Sequence, residues 1–150
     1  MARVIDVARF IVDNKGGMSA MKLQKLTYYS QAWHLVFEGE LLFQSEIEAW
    51  ANGPVIPALY RAHRGQFQIE PNSFPDATPA LLTDTEKSTV LAVVDAYGGM
   101  TAHQLSNLTH NERPWQEARH GIPEGQRCNA VIDIGTMLEF YEEMSRETAQ

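Results

Sequence analysis

Hydrophobic positions recur along the first third of the chain with two different periods, and the change of period marks out its elements. Val4, Val7, Ala8 and Ile11 stand at helical spacing, and Asn14-Lys15-Gly16-Gly17 supplies a helix stop. Ser19 is placed to cap a second helix, from about Met21 to Glu38, that Gly39 closes. This second helix is apolar nearly all round. Leu23, Leu26, Ser30, Trp33 and Phe37 fall on one side, and Tyr29, Ala32 and Val36 on another. A helix without a clean polar face belongs at the centre of a fold, so this one is expected to form the core. From Leu41 the period drops to two: Leu41, Phe43, Ser45, Ile47 and Ala49 alternate with Leu42, Gln44, Glu46, Glu48 and Trp50. That alternation predicts a short strand or a bent hairpin.

The stretch Glu48 to Tyr60, E-A-W-A-N-G-P-V-I-P-A-L-Y, interrupts both periods. Gly53 reaches backbone angles closed to other residues, and Pro54 fixes the next φ. A helix can begin at Pro54, with Pro57 also in its first turn, or at Pro57, because Ile56 before a proline is pushed out of helical angles. The corner is a strand-to-helix switch with few allowed conformations.

Beyond it, residues 65–82 hold Pro71, Pro75 and Pro79 and show no long period, with a short strand expected between Phe67 and Glu70. Thr83-Asp-Thr-Glu86 has capping-box spacing, and Val90, Leu91, Val94 and Tyr97 carry a helix to Gly98-Gly99. Thr101-Ala-His-Gln104 repeats that spacing and begins another helix near His110, and Pro114 starts a short segment holding Trp115. A last helix runs from about Ile134 to Glu147, with Met137, Leu138, Tyr141 and Met144 on its apolar side and Glu139, Glu142, Glu143 and Glu147 on the other. There is no internal repeat. The expected fold is mainly α: one compact domain over residues 1–150, with roughly five or six helices and a minor β-hairpin or short strands.

Charge narrows the partners. The net charge is −7, and it is uneven: residues 1–65 carry seven Lys/Arg against six Asp/Glu, residues 66–150 five against thirteen. An acidic second half repels a phosphate backbone, which argues against nucleic acid as a partner. No apolar run approaches the roughly 18–20 residues of a membrane span. Asp6 and Arg9 interrupt what would be a signal peptide's apolar region, and Cys128 is the one cysteine, so a cytoplasmic location is expected.

Candidate chemistry is sparse. The histidines His34, His63, His103, His110 and His120 show no metal-helix or ribbon spacing, so ordinary polar roles are expected and neither metal nor cofactor is. Glu46 and Glu48 share one side of the predicted strand, where a solvated edge is a commoner role than acid–base work. Gln-Arg-Cys128-Asn carries no nucleophile signature, and the glycine pairs read as helix stops rather than phosphate loops. An enzyme is not expected. The first two helices imitate a helix-turn-helix with Lys22 and Lys25 near the start of the second, an alternative that its apolar faces disfavour. Trp33 is expected in the core, whereas Trp50 and Trp115, beside rigid corners, suit either core or interface.

Three ordered stretches carry a resemblance. Lys22-Leu23-Gln24-Lys25-Leu26-Thr27-Tyr28-Tyr29-Ser30-Gln31-Ala32-Trp33, Glu48-Ala49-Trp50-x-x-Gly53-Pro54-Val55-x-Pro57-x-x-Tyr60, and Leu105-Ser106-x-Leu108-Thr109-His110-x-x-x-Pro114-Trp115 resemble the signatures of the Panacea domain. This is the family of SocA-like antitoxins, also called phage-associated proteins. The resemblance covers about residues 3 to 145. It implies a mainly helical domain that neutralises a toxin, encoded beside it and often on a prophage or mobile element, by binding it directly. Some relatives add a DNA-binding domain, for which this chain is expected to have no room. No catalytic residue comes with the resemblance. The surface expected to receive the toxin comprises Trp50, Asn52, Gly53, Pro54 and Tyr60 as a stiff ledge, exposed Lys22, Lys25 and Gln31 beside a groove, and Tyr28, Glu48, His110 and Trp115. Variable loops and the acidic last helix are the alternative contacts, and self-association into a homo-oligomer stays open.

Overall fold

A computed structural model describes residues 1–148. Its elements are α1 (Val4–Lys15), β1 (Met18–Ser19), α2 (Ala20–Glu38), β2 (Glu48–Trp50), β3 (Gly53–Val55), α3 (Pro57–His63), β4 (Gln68–Ile69), α4 (Asp84–Tyr97), α5 (Ala102–His110), α6 (Arg113–Ala118) and α7 (Ile134–Thr148). Single 3₁₀ turns at Pro71–Ser73 and Pro79–Leu81 punctuate the proline-rich connection. The mainly α expectation holds, with seven helices among the described residues because the short segment at Pro114, α6, is helical as well.

α2 is the axis. It packs against α1, α4, α5 and α7, and its residues 23–32 are buried without interruption. The local signals act as anticipated: the Lys22 N–H donates to Ser19 Oγ at the start, and Gly39 ends the helix in the left-handed region at φ +71°. Burial fades over the last turn, and Phe37, expected on the core side, is 51% exposed. Both capping boxes form reciprocally, Thr83 with Glu86 and Thr101 with Gln104.

The β elements are two antiparallel pairs, β1 with β4 (Met18 opposite Ile69) and β2 with β3 (Glu48 opposite Val55, Trp50 opposite Gly53). One local expectation needs correction. Residues 41–47 are not a strand: Leu42 and Phe43 are both buried, and only Phe43 makes a bridge, to Ala2. The Leu42 N–H and Phe43 C=O, which a strand would pair with a neighbour, are taken by the side chain of Gln31. Of the two starts open for the helix after the corner, the chain takes Pro57 rather than Pro54. Pro54 sits in β3 opposite Ala49, and Ile56 is extended at φ −97°, ψ 105°.

Candidate functional site: a cleft built on the central helix

Two glutamines, a heptad apart on α2, hold the connecting segments to it. Gln31 accepts from the Leu42 N–H at 2.7 Å and donates to the Phe43 carbonyl at 2.7 Å. Gln24 does the same for Ile56, accepting from its N–H at 2.8 Å and donating to its carbonyl at 3.3 Å. Each amide stands in for a peptide group, so backbone that leaves the helix bundle stays hydrogen-bonded inside the core. The Gln24 amide also donates to His63 Nε2 at 3.0 Å, which places that ring's proton on Nδ1. Burial pushes the His63 imidazole below its ordinary value, consistent with a neutral ring.

Lys25, the next residue, reaches beneath the hairpin and donates from Nζ to the Pro54 carbonyl at 3.2 Å. Gly53 makes this approach feasible. Its φ is +117°, and a Cβ there would lie 2.6 Å from Lys25 Cε and 2.9 Å from Thr109 Oγ1. Ser106 of α5 donates to the Asn52 carbonyl at 2.6 Å, and the Trp115 indole of α6 donates to the Trp50 carbonyl at 2.8 Å. The three resembling stretches therefore meet at one place. The first supplies the axis, the second the hairpin and α3, the third the hydroxyl and indole that pin the hairpin from behind.

Between α2, the hairpin and α3 lies a cleft of about 780 Å³. Trp50 and Tyr60 form one wall, edge to face with ring centres 5.3 Å apart, and Tyr60 meets His63 at 5.5 Å. The Trp50 indole donates to Glu48 Oε1 at 2.8 Å, which settles the ring. Gln24 and Lys25 lie at the floor, with Ala20, Met21, Ala51, Asn52 and Val55 around it. The remaining rim is Arg127, Cys128 and Asn129, from the connection between α6 and α7. That connection is fastened to the hairpin: Ala49 N–H donates to the Ala130 carbonyl and Ile132 N–H to the Ile47 carbonyl, both at 2.8 Å. Arg119, 2% exposed, donates to the carbonyls of Ala49, Pro123 and Gln126 and lies over the Trp115 ring. His110 stacks on Trp115 with ring centres 4.1 Å apart and pairs with Glu124 at 2.7 Å.

The expected surface residues divide accordingly. Glu48, Trp50, Asn52 and Tyr60 line the cleft, and Gly53 and Pro54 are buried behind it. His110 and Trp115 brace the hairpin and its loop. The expectation that Lys25 and Gln31 are exposed is wrong: they are 1% and 0% exposed, because their polar ends serve backbone groups within the fold. Tyr28 is buried as well. Lys22, half-buried, donates to the Gly98 carbonyl at 2.7 Å. Neither lysine is therefore presented as a groove-reading helix-turn-helix requires. Reading the sequence missed Gln24, His63 and the rim 127–129; only Gln24 had a signal, since an amide on an all-apolar helix must find buried partners.

A second polar group lies inside the bundle. Glu112 Oε1 accepts from the Tyr29 and Tyr141 hydroxyls, each at 2.8 Å, and the Tyr28 and Tyr141 hydroxyls are 3.0 Å apart. Burial pushes the Glu112 carboxyl up to about 7, against the pull of its two tyrosine hydrogen bonds. Burial likewise raises all three tyrosines. This network joins α2, α7 and the α5–α6 junction. Among the described residues no three His, Cys, Asp or Glu side chains cluster so as to hold a metal ion, and no helix is long and apolar enough to cross a membrane.

No curated protein and no solved structure matches the chain. The family model described as "Antitoxin SocA-like, Panacea domain" matches residues 23–116. That span runs from the first buried leucine of α2 to the residue after Trp115, and so takes in the axis, the hairpin and the elements that brace it. With well over half of its length matched, the chain belongs to the SocA-like antitoxin Panacea domain family.

Proposed function

We propose that the chain is an antitoxin that neutralises a co-encoded toxin by binding it directly in the cytoplasm, acting as one domain. The observation that carries this reading is the family match over residues 23–116. Its physical support is the use made of the signature residues. Gln24, Lys25 and Gln31 tie connecting segments to α2, Gly53 admits the close approach of Lys25, and Ser106 and Trp115 tie the hairpin to α5 and α6. The result is a preorganised concave surface flanked by aromatic side chains, which loses little entropy when a partner docks. The family is one of antitoxins, and its residues here are spent on scaffold.

The test is co-expression. Products of adjacent genes are induced alone and together with this chain; one of them is expected to arrest growth alone and to be silenced by co-expression and co-purification with the chain. Arrest that persists despite a folded, abundant partner would remove the reading. A mobility-shift assay on the upstream region addresses the transcriptional alternative, for which Lys22 and Lys25 are both already bonded to backbone carbonyls.

A further inference from the structure

Lys25 sits at the cleft floor with 1% of its surface exposed, and no carboxylate lies within ion-pair distance of it among the described residues. An ammonium has three hydrogens, and the acceptor it reaches is one neutral carbonyl, that of Pro54. A buried cation without a counter-charge is strongly unfavourable, and a single carbonyl does not offset it. Burial accordingly pushes the Lys25 amine down to about 8. Methionine would fill this space without that penalty. The Glu48 carboxylate, which also lines the cleft, accepts from the Trp50 indole and makes no ion pair with Lys25 or Arg127. On the rim, Arg127 is exposed and also lacks an ion-pair partner among the described residues. The cleft is thus an apolar, aromatic-walled concavity with an uncompensated positive charge at its base.

We propose that this cleft receives a segment of the partner protein that carries an acidic side chain beside an apolar one, the carboxylate meeting Lys25 and Arg127 and the apolar side chain lying against Trp50 and Tyr60. The identity of the partner rests on the antitoxin reading; the chemistry of the cleft does not. One amine and one guanidinium match a single carboxylate, whereas a polyphosphate would bring several charges to a chain of net charge −7 that shows no phosphate loop. A bound carboxylate would restore the counter-charge that the fold omits, so the site gains more from an occupant than an already paired lysine would.

The test uses the whole chain labelled with ¹³C at lysine Cε and two end-blocked tripeptides, leucyl-glutamyl-leucine and leucyl-glutaminyl-leucine, titrated by NMR. The glutamyl peptide is expected to shift the Lys25 signal and raise its titration point, and the glutaminyl peptide to bind about tenfold more weakly. Equal binding of the two, no response at Lys25, or inorganic phosphate binding as well as the glutamyl peptide would each overturn the proposal. The variant Lys25→Met, checked by thermal melting, is expected to lose the preference between peptides; if it fails to fold, the wild-type comparison decides alone. In co-expression, a folded Lys25→Met that silences a toxin as well as wild type overturns the cleft proposal and leaves the antitoxin reading standing. A wild-type chain that silences nothing removes the antitoxin reading, and the peptide comparison still decides the chemistry of the cleft.

Discussion

Gly53 and Glu112 show how much can depend on one position. Gly53 combines a left-handed φ with a side-chain-free approach to Lys25 and Thr109, so any Cβ meets both a backbone and a packing penalty. Gly53→Ala is expected to lower stability by about 2–4 kcal/mol in denaturant unfolding. Glu112 makes a pH prediction. Its carboxyl is held up to about 7 in the folded chain, above the ordinary carboxylate value, so its contribution is fully favourable below the unfolded value and is lost as pH rises through about 7. Wild type should therefore lose about 3 kcal/mol relative to Glu112→Gln between pH 4 and pH 8. Chemical denaturation of both proteins across that range measures the difference, and parallel curves would contradict the assignment.

At the scale of elements, the short-range rules worked where both partners lie within one turn. Ser19, Gly39 and the two capping boxes were all readable from spacing. They failed at residues 41–47, where alternation mimicked a strand. What replaces the strand is a side chain from another element, since Gln31 takes the Leu42 N–H and the Phe43 carbonyl. Gln31→Leu keeps the volume roughly constant but leaves both groups buried without partners. It is expected to destabilise by about 2–4 kcal/mol in denaturant unfolding, because each orphaned group loses its hydrogen bond without regaining water. An unchanged midpoint would mean that residues 42–43 are held by packing alone.

For the molecule as a whole, charge is the property that reaches furthest. The second half carries thirteen acidic against five basic residues, and on α7 the acidic Glu139, Glu143 and Glu147 are exposed. On the antitoxin reading, a toxin that acts on RNA or nucleotides would meet such a face with its basic surface. Its affinity for the chain is expected to fall as salt rises from about 0.05 to 0.5 M, read by calorimetry on the purified pair. A flat response would remove the acidic face from the binding surface. On the antitoxin reading, the two surfaces would make separable demands on one partner: the acidic face would favour a basic region, and the cleft an acidic side chain next to an apolar one.

The linear chain already contained the helical character, the central place of α2, the caps and the rigid corner, because each depends on residues within a few positions of one another. It also carried the three ordered stretches that mark the family. It did not reveal why those stretches are what they are. Lys25 and Gln31 read as exposed polar residues because a cation and an amide on a helix ordinarily face water. Their backbone partners lie 29 and 12 residues away, and only packing brings them within reach. The same holds for the rim at residues 127–129, which joins the cleft through pairing of 130 and 132 with the hairpin across some eighty residues of chain. Local propensity is written in neighbours; a cleft is written in distances between non-neighbours, and those exist only after the chain has closed on α2.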